Sequence, residues 1–187
     1  MRKLILSSVL LLSPAVSDAD ASYPGLQVEV QRSGDLYTLA ARFDTPLGKC
    51  AAYRYLTDYE LAKKLPGVVD SVSYRESANA IRVDRTADEK VLFFQVRLRS
   101  VVRYIERPFE GIEFKQLSGD SRIFQGTWNI EPHERGSTLS FHGQWEPNTV
   151  IPLFIIDHFA KNGLRDRFSA IAQLALERKD QRTACMN

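Results

Sequence analysis

Few side chains in this 187-residue sequence have the type and spacing that chemistry demands. The histidines are His133, His142 and His158. None has a second His or Cys at metal-ligand spacing, so no metal is expected. His133 falls by a turn. His142 falls on a strand face opposite Leu139, Phe141 and Trp145, pointing outward, and His158 falls on the polar side of a helix. No G-x-S-x-G, H-E-x-x-H or phosphate-cradling glycine loop occurs. Cys50 as a nucleophile would need a histidine partner, and no motif supplies one. No catalytic residue and no cofactor is expected. Arg167 is the polar residue that stands out, because helical spacing puts it between Gly163 and Ile171 in an apolar stripe. A charge there must snorkel, pair or meet a ligand head group. Two readings follow. Arg167 pairs with a sheet carboxylate, or it holds a carbonyl or anionic head while Phe94, Leu98, Phe124, Trp128, Phe141, Trp145, Leu164 and Phe168 line an apolar slot.

The element carrying Arg167 is a helix from Pro152 to about Lys179. Ile156, Ala160, Gly163, Leu164, Phe168, Ile171, Leu174 and Ala175 recur at steps of three and four and form one wide stripe. Pro152 sits near the first helical position, where its missing N–H is harmless. Nearly everything before it reads as strand. Leu26–Val30 and Leu36–Phe43 alternate around the turn Ser33, Gly34, Asp35 and predict a hairpin. Thr45 and Pro46 predict the start of a helix running to about Leu56. Thr57 to Glu60 matches a capping box and predicts a second short helix, ended by Pro66 and Gly67. Strands are then expected over 68–75, 79–85, 90–106, 109–117, 121–130 and 137–146. One face of such an antiparallel meander must be covered, and the long helix has the matching stripe. A curved sheet around that helix, with function in the space between, is the expected architecture.

The N-terminus reads differently. Arg2 and Lys3, the apolar run Leu4–Leu12 and the small-x-small site Ala19, Asp20, Ala21 predict a secretory signal peptide over 1–21, leaving one domain over 22–187. The net charge of +2 is too weak to argue for nucleic acid. Two cysteines, Cys50 and Cys185, allow a disulfide in an oxidising compartment or two free thiols. Arg75, Arg82, Arg97, Arg99 and Arg103 share one outer sheet region. They suit a peripheral contact with an anionic membrane surface. Equally they suit a solvated face with cross-strand partners such as Glu110 and Glu113.

The passage Leu56 to Ala62, followed by Leu65, Pro66, Gly67 and Val68, carries a family likeness. It resembles the helix-helix-strand segment of the polyketide cyclase/dehydrase and coenzyme Q-binding branch of the START-like superfamily. Gly126, Thr127 and Trp128 beside a later strand ending in Pro147, then Ile151, Pro152 and a long helix, strengthen it. The resemblance spans roughly Leu26 to Arg178 through loose motifs. It implies an α+β helix-grip fold, a bent antiparallel sheet gripping the C-terminal helix with a cavity between. It also implies that the short helices support the far end of the long one, which brings Cys50 towards Cys185 as a disulfide. The implied ligand is a hydrophobic small molecule, a lipid, isoprenoid or quinone, held by an exported carrier in the periplasm or outside the cell. An enzyme of the cyclase or hydrolase kind would need a positioned acid or base in the same cavity. A ligand-free interaction module would fill the cavity with its own aromatics.

Overall fold

The computed structural model describes residues 23–91 and 94–178, with the backbone alone at Val91 and Phe94. The expected signal peptide and Cys185 lie outside the described residues. Eight strands form one antiparallel sheet in the order β1-β2-β8-β7-β6-β5-β4-β3. They are β1 (Gln27–Ser33), β2 (Leu36–Thr45), β3 (Val68–Arg75), β4 (Ala80–Val91), β5 (Phe94–Arg107), β6 (Gly111–Gly119), β7 (Ser121–His133) and β8 (Gly136–Pro147). Among the described residues the α-helices are α1 (Lys49–Leu56) and α2 (Leu153–Glu177). A 3₁₀ segment, Tyr59–Lys64, follows α1. The α+β helix-grip architecture expected from the sequence is the one observed: a curved sheet with α2 against its inner face. No helix among the described residues is long and apolar enough to cross a membrane.

Alternation explains which side of each strand faces α2. Ile81 and Val83 on β4, Val102 and Tyr104 on β5, Ile112 and Phe114 on β6, Trp128 and Ile130 on β7, and Leu139 and Phe141 on β8 are all buried. The opposite faces carry most of the charges. On α2 the buried residues are Ile155, Ile156, Ala160, Phe168, Ala172 and Ala175, of which Ile156, Ala160, Phe168 and Ala175 belong to the stripe expected from its spacing. Polar ties fix α2 at both ends. Asp157 accepts from the Tyr37 hydroxyl at 2.8 Å and pairs with Arg32 at 2.8 Å. Further along, the Tyr55 hydroxyl donates to the Ile171 carbonyl at 2.6 Å, and Arg178 pairs with Asp58 at 2.6 Å.

Three boundaries differ from the sequence expectation. Thr45 does not cap a helix. It ends β2 opposite Ser137 and is buried, its hydroxyl accepting from the Leu47 N–H, and α1 begins only at Lys49 behind Gly48. Thr57 does not open the second helix either. It closes α1 by donating to the Tyr53 carbonyl at 2.9 Å, and Asp58 caps the 3₁₀ segment by accepting from the Leu61 N–H. Finally, β4 runs on to Val91 and β5 begins at Phe94, where one strand was expected to end at Arg85 and the next to begin at Lys90. The polar residues 86–90 pair across to β5, and Asp88 receives both Nε and Nη2 of Arg97 at 2.7 and 2.8 Å.

Candidate functional site

A cavity of about 270 Å³ lies between the inner face of the sheet and α2. Each strand places its inward residues into the wall by the two-residue period. β5 contributes Leu98, β7 contributes Phe124 and Trp128, and β8 contributes Phe141 and Trp145. From α2 come Leu164, Arg167 and Phe168, one helical turn apart on the same side. Eight of the nine residues singled out in the sequence thus meet in one cavity. The ninth, Phe94, begins β5 and its side chain lies outside the described ones. The aromatic wall is continuous. Phe114 and Phe141 stack at 5.8 Å between ring centres, and Phe168 meets Phe141 at 5.1 Å and Trp128 at 5.9 Å.

Two inward glycines make room for these rings. Gly126 and Gly143 oppose each other on β7 and β8. A Cβ on Gly143 would come within 2.7 Å of the Phe141 ring, and one on Gly126 within 2.4 Å of the His142 carbonyl oxygen. Side chains there would push the wall into the cavity or straighten the bend.

The mouth is a depression of about 440 Å³ that shares Glu89, Phe159, Gly163 and Arg167 with the cavity. It is framed by the turn Pro66–Gly67, the end of β4 and the first half of α2. Gly67 adopts φ +80°, and its carbonyl oxygen accepts from the Asp88 N–H at 2.7 Å. A Cβ at Gly67 would press within 2.7 Å of the Asp88 carbonyl oxygen, so glycine is required by space as well as by backbone angle. Arg167 spans the opening and forms an ion pair with Glu89 of β4. Of the two sequence readings for Arg167, pairing with a sheet carboxylate is the arrangement observed.

Several wall residues escaped the sequence reading. Ala87 and Glu89 face inward because β4 continues past Arg85; ending the strand early hid them. Arg85, Tyr104, Phe114 and Phe159 also line the cavity. Phe114 was signalled by its alternation with Ile112, and Arg85 by its alternation with Ile81 and Val83. The outer arginines found carboxylates other than the expected Glu110 and Glu113. Arg103 pairs with Glu76, Arg97 with Asp88, Arg82 with Asp84 and Arg75 with Glu106, while Glu113 pairs with Arg107. The Arg97 guanidinium holds the Asp88 carboxyl below the usual range, as Arg103 does for Glu76. His142 stands on the outer face, and among the described residues no His, Cys, Asp or Glu cluster could hold a metal.

The family model for polyketide cyclase/dehydrase and lipid transport matches residues 49–172, about two thirds of the chain. The chain belongs to this polyketide cyclase/dehydrase and lipid transport family. A search among curated proteins finds no match. Solved structures share the START-like fold. One is a STAR-related lipid transfer protein from Xanthomonas axonopodis, with a TM-score of 0.68 and 11% identity over 82% of this chain and 94% of that one. The Zhui aromatase/cyclase from Streptomyces sp. R1128 gives 0.61 and 14% over 80% and 98%. Human STARD10 gives 0.60 and 15% over 87% and 75%. At these identities the likeness is one of fold. Family and fold together support a START-like fold of the hydrophobic ligand-binding and lipid-transfer kind.

Proposed function

We propose that this START-like protein is an exported carrier that holds one hydrophobic small molecule between its sheet and α2. The observation that supports the reading is the cavity itself, about 270 Å³ with an almost continuous aromatic and aliphatic wall. That volume is just below the range for small-molecule sites, roughly 300–1,000 Å³. It suits a single-chain lipid, an isoprenoid or a quinone better than a whole two-chain phospholipid. Relatives named for lipid transfer support the same class. Native mass spectrometry on protein purified from a periplasmic extract, followed by solvent extraction, tests it. A stoichiometric lipid or quinone is expected. Ala87→Trp, which fills the cavity from the β4 side, should release it while the far-ultraviolet spectrum is retained. A clean apo mass with no stabilisation by a panel of lipids and quinones would overturn the carrier reading. Export is part of the proposal, and N-terminal sequencing of the secreted form should begin after Ala21.

An apolar ligand must also be collected and delivered, so the proposal includes a peripheral contact with a lipid membrane. The outer arginines are poor candidates, since most of them already hold carboxylates. At the start of α2, Val150 is fully exposed and Phe154 is 71% exposed, with Leu153 beside them. This end leads directly to Phe159 and Gly163 at the mouth. Flotation with phospholipid vesicles is the test. Val150→Asp combined with Phe154→Asp should abolish co-flotation, and unchanged flotation would remove this end of α2 from the proposal.

A further inference from the structure

Two cationic side chains in the cavity lining, Arg85 and Arg99, make no ion pair among the described residues, and of these Arg99 is exposed at the rim. Three ionisable side chains project into its interior from β4 and α2: Arg85, Glu89 and Arg167. Glu89 and Arg167 neutralise each other. Arg85 makes no ion pair among the described residues. Its Nε has one weak contact, with the Ser71 hydroxyl at 3.4 Å, and that hydroxyl already donates to the Tyr59 carbonyl at 2.9 Å. The nearby acids are engaged elsewhere. Asp58 pairs with Arg178, and Glu106 accepts from the Tyr59 hydroxyl and pairs with Arg75. At the exposed rim, Asp120 accepts the Arg99 backbone N–H at 2.7 Å.

The strand neighbours of Arg85 form a polar row beside the aromatic wall. Ser71, Arg85 and Ser100 are direct partners across β3, β4 and β5, all inward. Opposed residues sit about 5 Å apart, so Arg85 and Ser100 are within reach of one small head group, while Ser71 is fully buried and engaged with Tyr59. The Tyr104 hydroxyl borders the same space. Neither Ser100 nor Tyr104 makes a side-chain hydrogen bond among the described residues. A guanidinium left without an anion in an apolar site is costly, and its planar fork matches a carboxylate or phosphate through two parallel hydrogen bonds.

We infer that Arg85, with Ser100 and Tyr104, is the head-group site of the cavity, and that the ligand is a single-chain amphiphile with a small anionic head, a carboxylate or phosphate monoester. This inference rests on the carrier reading and narrows it, because it disfavours neutral quinones and alcohols. The head lies inside, four residues along β4 from Glu89 and thus about 13 Å from the ion pair at the mouth.

Both tryptophans of the chain, Trp128 and Trp145, line the cavity, so their fluorescence reports binding directly. Dodecanoate, dodecyl phosphate and 1-dodecanol are titrated below their solubility limits at neutral pH. At least one anionic probe should bind about tenfold or more tightly than the alcohol, the yield of one charge-assisted bidentate contact. The tighter of the two identifies the head. Arg85→Met should bring the affinities for the anionic probe and the alcohol to within about twofold of each other, while Arg85→Lys should keep part of the preference. The wild-type comparison stands even where a variant fails to fold. Equal affinity for acid and alcohol in the wild type, or a preference that survives Arg85→Met, overturns the head-group site and leaves the carrier intact. No binding of any of the three probes overturns both.

Discussion

The Arg167–Glu89 pair is partly buried, with side chains 24% and 15% exposed, so each partner left alone would be a poorly solvated charge. Breaking a fully buried pair costs about 3–5 kcal/mol, and an exposed one less than about 1 kcal/mol. Arg167→Met or Glu89→Gln alone should therefore cost about 1–3 kcal/mol in chemical denaturation. The double variant should recover part of that, with a coupling of about 1 kcal/mol or more. Additive losses would show that the pair contributes nothing beyond packing. Gly126 offers a test of a different kind. Its missing Cβ faces a backbone oxygen, which cannot swing aside as a side chain can. Gly126→Ala should destabilise by about 1–3 kcal/mol and weaken ligand retention, because β7 must move into the cavity or away from β8. A neutral thermal shift would mean that the sheet bends without help from this glycine.

Long periodic elements were legible in the sequence and short junctions were not. The 25 residues of α2 present several turns of one stripe, so no single residue could mislead the assignment. Thr45 and Thr57 each gave a sound local cap signal, but the first is held in the β2–β8 ladder and the second at the end of α1. Local chemistry was overruled by pairing partners distant in sequence. The same holds for residues 86–89, left between two expected strands, which β5 pairs into β4 through partners such as Arg97. The tyrosines that tie these elements together make a prediction at this scale. Burial is the main cause that raises the Tyr37, Tyr55 and Tyr59 hydroxyls above their usual range, helped by Asp157 at Tyr37 and by Glu106 at Tyr59. A group with a raised folded value contributes stability that is whole below its unfolded pKa of about 10 and is lost as the pH climbs past it. The melting temperature should thus hold level from pH 8 to about 10 and then fall. Tyr55→Phe, which cannot ionise, should flatten part of that fall, and an identical alkaline slope in wild type and variant would refute the assignment.

At the scale of the whole molecule, the sequence named the cavity's aromatic wall because alternation assigns faces strand by strand. It could not show that Arg85 lacks an acid, since that depends on where every neighbouring carboxylate is engaged. The pairing of Cys50 with Cys185 is a question of the same kind, because it joins the two ends of the chain's topology. Cys50 is the second residue of α1, and no cysteine is free among the described residues. The Arg178–Asp58 pair anchors the end of α2 just past the C-terminus of α1. From there Cys50 lies back along α1 by eight residues, about 12 Å at the helical rise. Cys185 follows Arg178 by seven residues, a reach of up to about 24 Å when extended, so the chain has length to spare. A bond here would close a loop of about 135 residues and stabilise the fold by about 5 kcal/mol through the entropy of the unfolded chain. Thiol counting under denaturing conditions on periplasmic material should find no free thiol, and Cys50→Ser should lower the melting temperature about as much as reduction of the wild type does. Two reactive thiols in the native preparation would refute the pairing and leave Arg178–Asp58 and Tyr55–Ile171 as the ties that hold α1 against α2.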